Sequence, residues 1–158
     1  MSKLLGNRLP EDLYQRLSGK HLDAHAEKTI LVCTVDAQGC PHPAVLSYFE
    51  VAAPDDRNVR LAMYGNSSSV ANARRNGKLT ILIYDERVAY YIKGAAVELA
   101  RQMRCSPHNA KLNLRVEQVL QDEANEEFEP GAYITSGVTY ARRARPPFAE
   151  ELLKELAE

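Results

Sequence analysis

Ser67-Ser68-Ser69-Val70-Ala71-Asn72-Ala73-Arg74-Arg75 lies between two apolar runs, residues 59–64 and 79–84. The order reads strand, hydroxyl-rich turn, short helix, strand, with Asn76-Gly77 as the helix stop. The first amides of a helix lack intrahelical partners, and the helix dipole adds partial positive charge there. Serines at that place either cap the helix or complete a cradle for a phosphate. Taken alone, the plain cap is the commoner outcome.

Upstream, Pro10 with Glu11 and Asp12 suits the start of a helix, and Leu13, Tyr14 and Leu17 follow at helical spacing. Residues 29–35 are β-branched and apolar, a buried strand. Asp36-Ala37-Gln38-Gly39 is turn chemistry that reverses the chain into a second strand, residues 42–51. A turn at 54–58 leads to the third strand, 59–64. Downstream come a fourth strand at 79–84 and a long fifth at 88–99, where Gly94 predicts a bulge or a close backbone approach. Ser106-Pro107 reads as the opening of a helix whose apolar stripe is Leu112, Val116, Val119 and Leu120. Residues 133–140 read as a sixth strand, and Pro146-Pro147 precedes a final amphipathic helix. No GxGxxG follows a strand, which excludes a Rossmann site. The expected fold is α+β: a six-stranded antiparallel barrel with peripheral helices in one domain spanning 1–158. Its core is 29–141, with an N-terminal helix at 10–18 and a C-terminal helix at 147–157.

The chain has 158 residues, 45% apolar and 26% charged, as in soluble globular proteins. A net charge of -1 argues against a general nucleic-acid binder, which needs surplus Lys and Arg to neutralise phosphates. The basic groups Arg74-Arg75 with Lys78, and Arg142-Arg143 with Arg145, are short enough to be solvated faces or small-anion sites. No run approaches the roughly 18 to 20 apolar residues that span a bilayer, and residues 1–10 lack a secretory core. Three cysteines, Cys33, Cys40 and Cys105, cannot all pair within one chain, which suggests free thiols in a reducing cytoplasm. Cys33, in an apolar strand, reads as a small core residue.

Thr34-Val35-Asp36-Ala37-Gln38-Gly39-Cys40-Pro41-His42-Pro43, followed by Val45-Leu46-Ser47-Tyr48, resembles the opening hairpin of the pyridoxamine 5'-phosphate oxidase-like flavin-binding split barrels. Ser67 to Arg75 resembles that family's hydroxyl-basic-Asn-Leu-Arg segment, which wraps the flavin phosphate. Tyr91-Ile92-Lys93-Gly94-Ala95-Ala96-Val97 resembles its later strand, a basic residue followed by Gly and small residues. The three matches occur in the family's order across residues 29–99. The resemblance implies a split barrel that forms a homodimer, with a flavin, usually FMN, in each of two subunit clefts. Carried over by position, Val45, Leu46 and Ser47 lie along the isoalloxazine ring. Tyr64, Asn66, Ser67, Ser68 and Ser69 approach the ribityl phosphate. The chain departs from the family at Ser69, where a Lys or Arg is common, and Arg74, Arg75 and Lys93 are the candidates to replace that cation. Other family members take F420 or haem, and FAD or no cofactor are further alternatives.

His21 and His25, four apart, have metal-compatible spacing, but no second ligand pair accompanies them, so a solvated or packing role is expected. His42 begins the supposed ring-lining strand and reads first as a hairpin-end polar residue. Tyr90 and Tyr91 face opposite ways on one strand. The acids from Asp122 to Glu129 read as a solvated helix end and loop. No Gly-x-Ser-x-Gly elbow is present. Two functions follow: a flavin-dependent oxidoreductase of unassigned substrate, or a non-catalytic dimeric binding or regulatory protein that has lost tight flavin affinity.

Overall fold

Eight strands build one antiparallel sheet, with burial alternating most clearly along β6, in a computed structural model that describes residues 1–141 and 144–158. The strands are β1 (Ser2–Gly6), β2 (Thr29–Val35), β3 (Pro41–Ser47), β4 (Val51–Asp55), β5 (Asn58–Tyr64), β6 (Lys78–Asp85), β7 (Val88–Ala100) and β8 (Asn109–Asp122). Their order is β3-β2-β6-β7-β8-β5-β4, and β1 joins the far half of β8. The sheet curls so that Ile30, Val32, Leu46, Leu61, Ile81, Ile83, Ile92, Leu112 and Leu114 meet in one core. Helix α1 (Glu11–Leu17) adds Leu13 and Leu17 to that core, and α3 (Ser68–Asn76) adds Val70 and Ala73. A single turn of helix, α2 (Leu22–His25), lies between α1 and β2.

Six expected strands are thus eight, and the differences have physical causes. Residues 109–122 are a strand, not a helix. Leu112, Val116 and Val119 fit a helical stripe, but Ala110, Leu112, Leu114 and Val116 are buried in alternation with half-buried or exposed Asn113 and Arg115. The period is two, and β7 and β5 on either side satisfy the backbone. The expected strand 42–51 breaks at Ser47. There Glu50 folds back to accept from the Ser47 amide at 2.6 Å, making a 3-10 turn at Tyr48–Glu50 before β4. Residues 133–140 are not a strand but an irregular strap, with one isolated bridge between Lys28 and Thr139. Strand β1 carries no period long enough to predict.

The strap is nonetheless tied down. The Thr29 amide and hydroxyl both donate to the Val138 carbonyl, Arg87 N donates to Ile134 O, and Tyr140 N donates to Glu27 O. A Cβ on Gly137 would stand 2.2 Å from the Tyr84 carbonyl, so the strap lies directly on β6.

Gly94 sits at a register shift between β7 and β8, and a Cβ there would lie 1.9 Å from Arg115 O. Bulge and close approach coincide, as its position predicts. Helix α4 (Ala149–Ala157) packs Ala149, Leu152 and Leu156 against Phe49, Ala52, Ala62 and Met103 on the outside of β4 and β5. Its last carbonyls receive cations: Lys111 Nζ donates to Glu155 O at 2.5 Å and Arg60 Nη1 to Leu156 O at 2.9 Å. The Glu155 carboxylate accepts in turn from the Arg104 and Cys105 amides. Burial, reinforced by Glu155, pushes the Cys105 thiol up to about 11. All three cysteines are free. Cys33, expected in the core, is half-buried, and its strand neighbours Val32 and Thr34 are the buried ones.

Candidate functional site

The barrel is open along one seam. β3 ends the strand order, and β4 pairs β5 only as far as Leu61, so β3 and Ala62–Tyr64 each have one edge without a strand partner among the described residues. Such edges present unused amide and carbonyl groups. Helix α3 bridges the seam. It starts just after β5, and its last turn is fixed to the end of β2, where Arg75 Nη2 and Asn76 Nδ2 donate to Val35 O at 2.7 and 2.8 Å. In between, buried Asn72 donates to the Thr34 hydroxyl at 3.0 Å.

The serine run divides its labour. Ser67 is the N-cap, its hydroxyl accepting from Val70 N at 3.3 Å. Ser68 is exposed, whereas Ser69, at 2% exposure, faces inward and presents nothing to a ligand from its side chain. Gly77 closes the helix with φ 64°. Of the cations offered in place of a base at position 69, two are engaged. Arg74 gives Nε and Nη2 to Glu98 Oε1 and Nη1 to Gly65 O, while Arg75 is shared between Val35 O and Asn72 Oδ1. Lys93 stays exposed, in a cross-strand row running Pro43, Cys33, Thr80, Lys93, Gln118.

The ring-side residues separate. Val45 points outward with 62% exposure, while the Leu46 side chain belongs to the core and only its backbone lies on the seam. Ser47 is buried at the far end of β3, its hydroxyl 2.6 Å from that of Tyr140. Tyr64, Asn66, Ser67 and Ser68 form one contiguous turn, with Ser67 N donating to Tyr64 O. The structure therefore groups Tyr64 to Ser68 at one end of the seam. It places Val45 and Lys93 on the outer face of the sheet.

That outer face carries an apolar row. Register aligns Val45, Leu31, Leu82, Tyr91, Leu120 and Leu4 across β3, β2, β6, β7, β8 and β1. Leu4 at its end is 58% exposed. Tyr91 is anchored in it, accepting from the Tyr84 hydroxyl at 3.3 Å and donating to Asp122 at 3.0 Å. Burial, then these two partners, push its phenol well above the ordinary range. Its neighbour Tyr90 turns inward, as expected, and donates to Asp12 at 2.7 Å. Asp122 thus belongs to a strand rather than to a solvated helix end.

A cavity of about 470 Å³ opens between the Tyr64–Asn66 turn and the loop joining β7 to β8. Arg74, Arg101, Gln102 and His108 share its lining. Gly65 holds the two loops together through its amide, which donates to His108 O at 2.8 Å. The helix-like start at Ser106-Pro107 masks this loop in the sequence, and nothing in the spacing of Arg101 and His108 announces it.

At the opposite end, Asp85 gathers charge. Its Oδ2 accepts from Arg16 at 2.8 Å and Lys28 at 2.5 Å. Burial alone would raise its carboxyl, but the two cations outweigh burial and hold it well below the usual range. His25 stacks on Tyr48 with ring centroids 4.8 Å apart, and its buried Nδ1 has no partner among the described residues. Burial, then Arg16 and Lys28, lower its pKa to about 4. His21 is exposed at the start of α2, and no group of three metal-ligating side chains occurs among the described residues. Of the basic group at 142–145, Arg142 and Arg143 lie outside the described residues, while Arg145 pairs with Asp23 and Glu150. Among the described residues, no helix is long and apolar enough to cross a membrane.

The arrangement has known counterparts. A candidate pyridoxamine 5'-phosphate oxidase from Lactobacillus delbrueckii superposes with a TM-score of 0.58 at 18% identity, over 75% of this chain and 98% of that one. An FMN-binding protein from Syntrophomonas wolfei superposes at 0.54 with 16% identity, covering 72% of this chain and 88% of its own. The fold is that of the pyridoxamine 5'-phosphate oxidase-like split barrels. An F420 reductase shares the split barrel at a TM-score of 0.53 and 12% identity, over 70% of this chain and 98% of its own. In sequence, the uncharacterized protein YclD of Bacillus subtilis is 27% identical over 132 residues, 84% of this chain and 82% of that protein. No family model matches the chain.

Proposed function

We propose that this split barrel is a flavin-binding oxidoreductase that works as a cytoplasmic homodimer, with FMN as its first candidate cofactor. The observation that carries the reading is the seam: two strand edges held apart by α3, in a fold shared with an FMN-binding protein and an F420 reductase. A flat heteroaromatic ring suits an edge strand whose amides and carbonyls are unused, and an anionic tail suits the turn from Tyr64 to Ser68 at the start of α3. When bound, the flavin would supply hydride and single-electron chemistry. The protein's own part is to orient the ring along β3 and to exclude water.

The second wall of the cleft comes from a second subunit in this reading. The outer-face row from Val45 to Leu4 is an apolar band, exposed at its two ends and half-buried between them, of the kind that suits an association surface. The alternative, a binding or regulatory protein with weak flavin affinity, is favoured by the engagement of Ser67, Arg74 and Arg75 in holding the fold. Visible absorbance of the purified protein, alone and after addition of FMN, FAD, F420 or haem, separates the two. Saturable binding of a flavin supports the first reading, and no binding of any of the four supports the second.

A further inference from the structure

Three features besides the seam concentrate chemistry. The Arg16-Lys28-Asp85 cluster is tightly paired, and the outer-face row is already assigned to a second subunit. The cavity beneath Tyr64 is different, because its lining has one chemical character. Arg74, Arg101, His108, Asn66, Gln102 and Tyr64 all bring hydrogen-bond donors, and no carboxylate lines it among the described residues.

Its charge is organised. Glu98 does not line the cavity but accepts two of the Arg74 guanidinium's N–H groups, while Gly65 O takes a third. A guanidinium has five, so Arg74 is fixed in place with donors left over. Arg101 is the less committed cation: its side chain is 85% exposed and its Nε is 3.9 Å from Glu98, beyond hydrogen-bond distance. Two guanidinium groups facing one carboxylate leave a positive surplus at the rim. The cavity also adjoins the turn that opens α3, since Tyr64, Gly65 and Asn66 line it and Ser67 follows directly.

We propose that this cavity is a phosphate monoester subsite, and that Arg101, with Arg74, supplies the charge that Ser69 does not, His108 lining it as a hydrogen-bonding group. The inference rests on the flavin reading for its ligand, the terminal phosphate of FMN, and it assigns the phosphate to the β7–β8 loop rather than to the serine hydroxyls. Arg101 makes charge-assisted bonds to the phosphate oxygens. Removing one such partner weakens binding by about ten- to a hundredfold.

The test compares FMN with riboflavin, which lacks the phosphate, by fluorescence titration of wild type, Arg101→Ala, Arg101→Lys and, on a different face, Arg115→Ala. The proposal expects wild type to prefer FMN. Arg101→Ala should lose about ten- to a hundredfold for FMN and little for riboflavin, with partial recovery in Arg101→Lys and no change in Arg115→Ala. Equal affinity for FMN and riboflavin, or an FMN affinity indifferent to Arg101, overturns the subsite while leaving a flavin protein. If neither flavin binds, the functional reading fails separately, and inorganic phosphate decides the subsite. A phosphate-dependent rise in Tm that vanishes in Arg101→Ala upholds it, and no such rise refutes it.

Discussion

The Ser47 hydroxyl at the end of β3 lies 2.6 Å from the Tyr140 hydroxyl at the end of the strap. This contact joins a strand that borders the seam to a segment with no regular structure of its own. Tyr140→Phe should cost about 0.5–1.5 kcal/mol. Hydrogen exchange at Thr29 N, which donates to Val138 O, should quicken more than exchange at Ile81 or Ile92. Uniform exchange across the sheet would contradict this.

Gly137→Ala is a stronger probe of the same strap. The added methyl would meet Tyr84 O at 2.2 Å, so the strap must lift. The expected result is faster exchange at Thr29 and Arg87 with the core intact. Gly39→Ala makes a useful contrast, because space is open there and only its φ of +83° opposes a side chain. Its cost should stay at about 1 kcal/mol.

Asp85→Asn leaves Arg16 and Lys28 facing each other without their shared carboxylate. The site is mostly buried, so the loss should reach about 2–4 kcal/mol, against about 0–1 kcal/mol for breaking the exposed Arg8–Asp56 pair. Chemical denaturation of both variants checks the ratio. Equal small losses would mean that solvent screens the cluster.

The acid limb of stability should carry the signature of His25. Its folded pKa is lowered to about 4, below the unfolded value of about 6.5. Below that unfolded value the unfolded chain takes the proton first, so stability falls as pH drops from about 6.5 to about 4. Solvent reaches part of the ring, which trims the effect to the order of 1 kcal/mol, about 2–4 °C in Tm. His25→Phe, which keeps a ring on Tyr48, should flatten that part of the pH profile. An unchanged slope would remove His25 from the account.

The proposed dimer is tested on its own row. Val45→Glu with Leu82→Arg puts charge into the apolar band without touching the core, so light scattering should report a monomer with little change in Tm. A dimer that survives both substitutions lies elsewhere on the surface.

Strands β2, β5, β6 and β7 and helices α1, α3 and α4 were legible because runs of apolar residues met matching stop signals such as Asn76-Gly77. Strand β8 was not, because Leu112 and Val116 satisfy both periods, the register shift opposite Gly94 returns Val119 to the buried face at helical spacing, and Ser106-Pro107 imitates a helix start. The strap reads as a strand because Tyr133, Ile134 and Val138 are apolar, yet all three are exposed. Of the site, the turn from Tyr64 to Ser68 could be read from residue types. The roles of Arg74 and Arg101 could not, because they depend on where Glu98 and a loop from the next hairpin arrive in space.

Strand β8 touches β7, β5 and β1, and through Lys111 it holds the last turn of α4. β7 is its hairpin neighbour, so that pairing closes a short loop. The pairing of Leu4 with Leu120 closes a loop of more than a hundred residues. Loop-closure entropy therefore orders assembly: the β7–β8 hairpin forms early, β5 follows, and β1 docks late. What docks last opens first, so amide exchange under native conditions should begin at residues 2–6 and at the facing half of β8. The half of β8 between β5 and β7 should hold out until global unfolding.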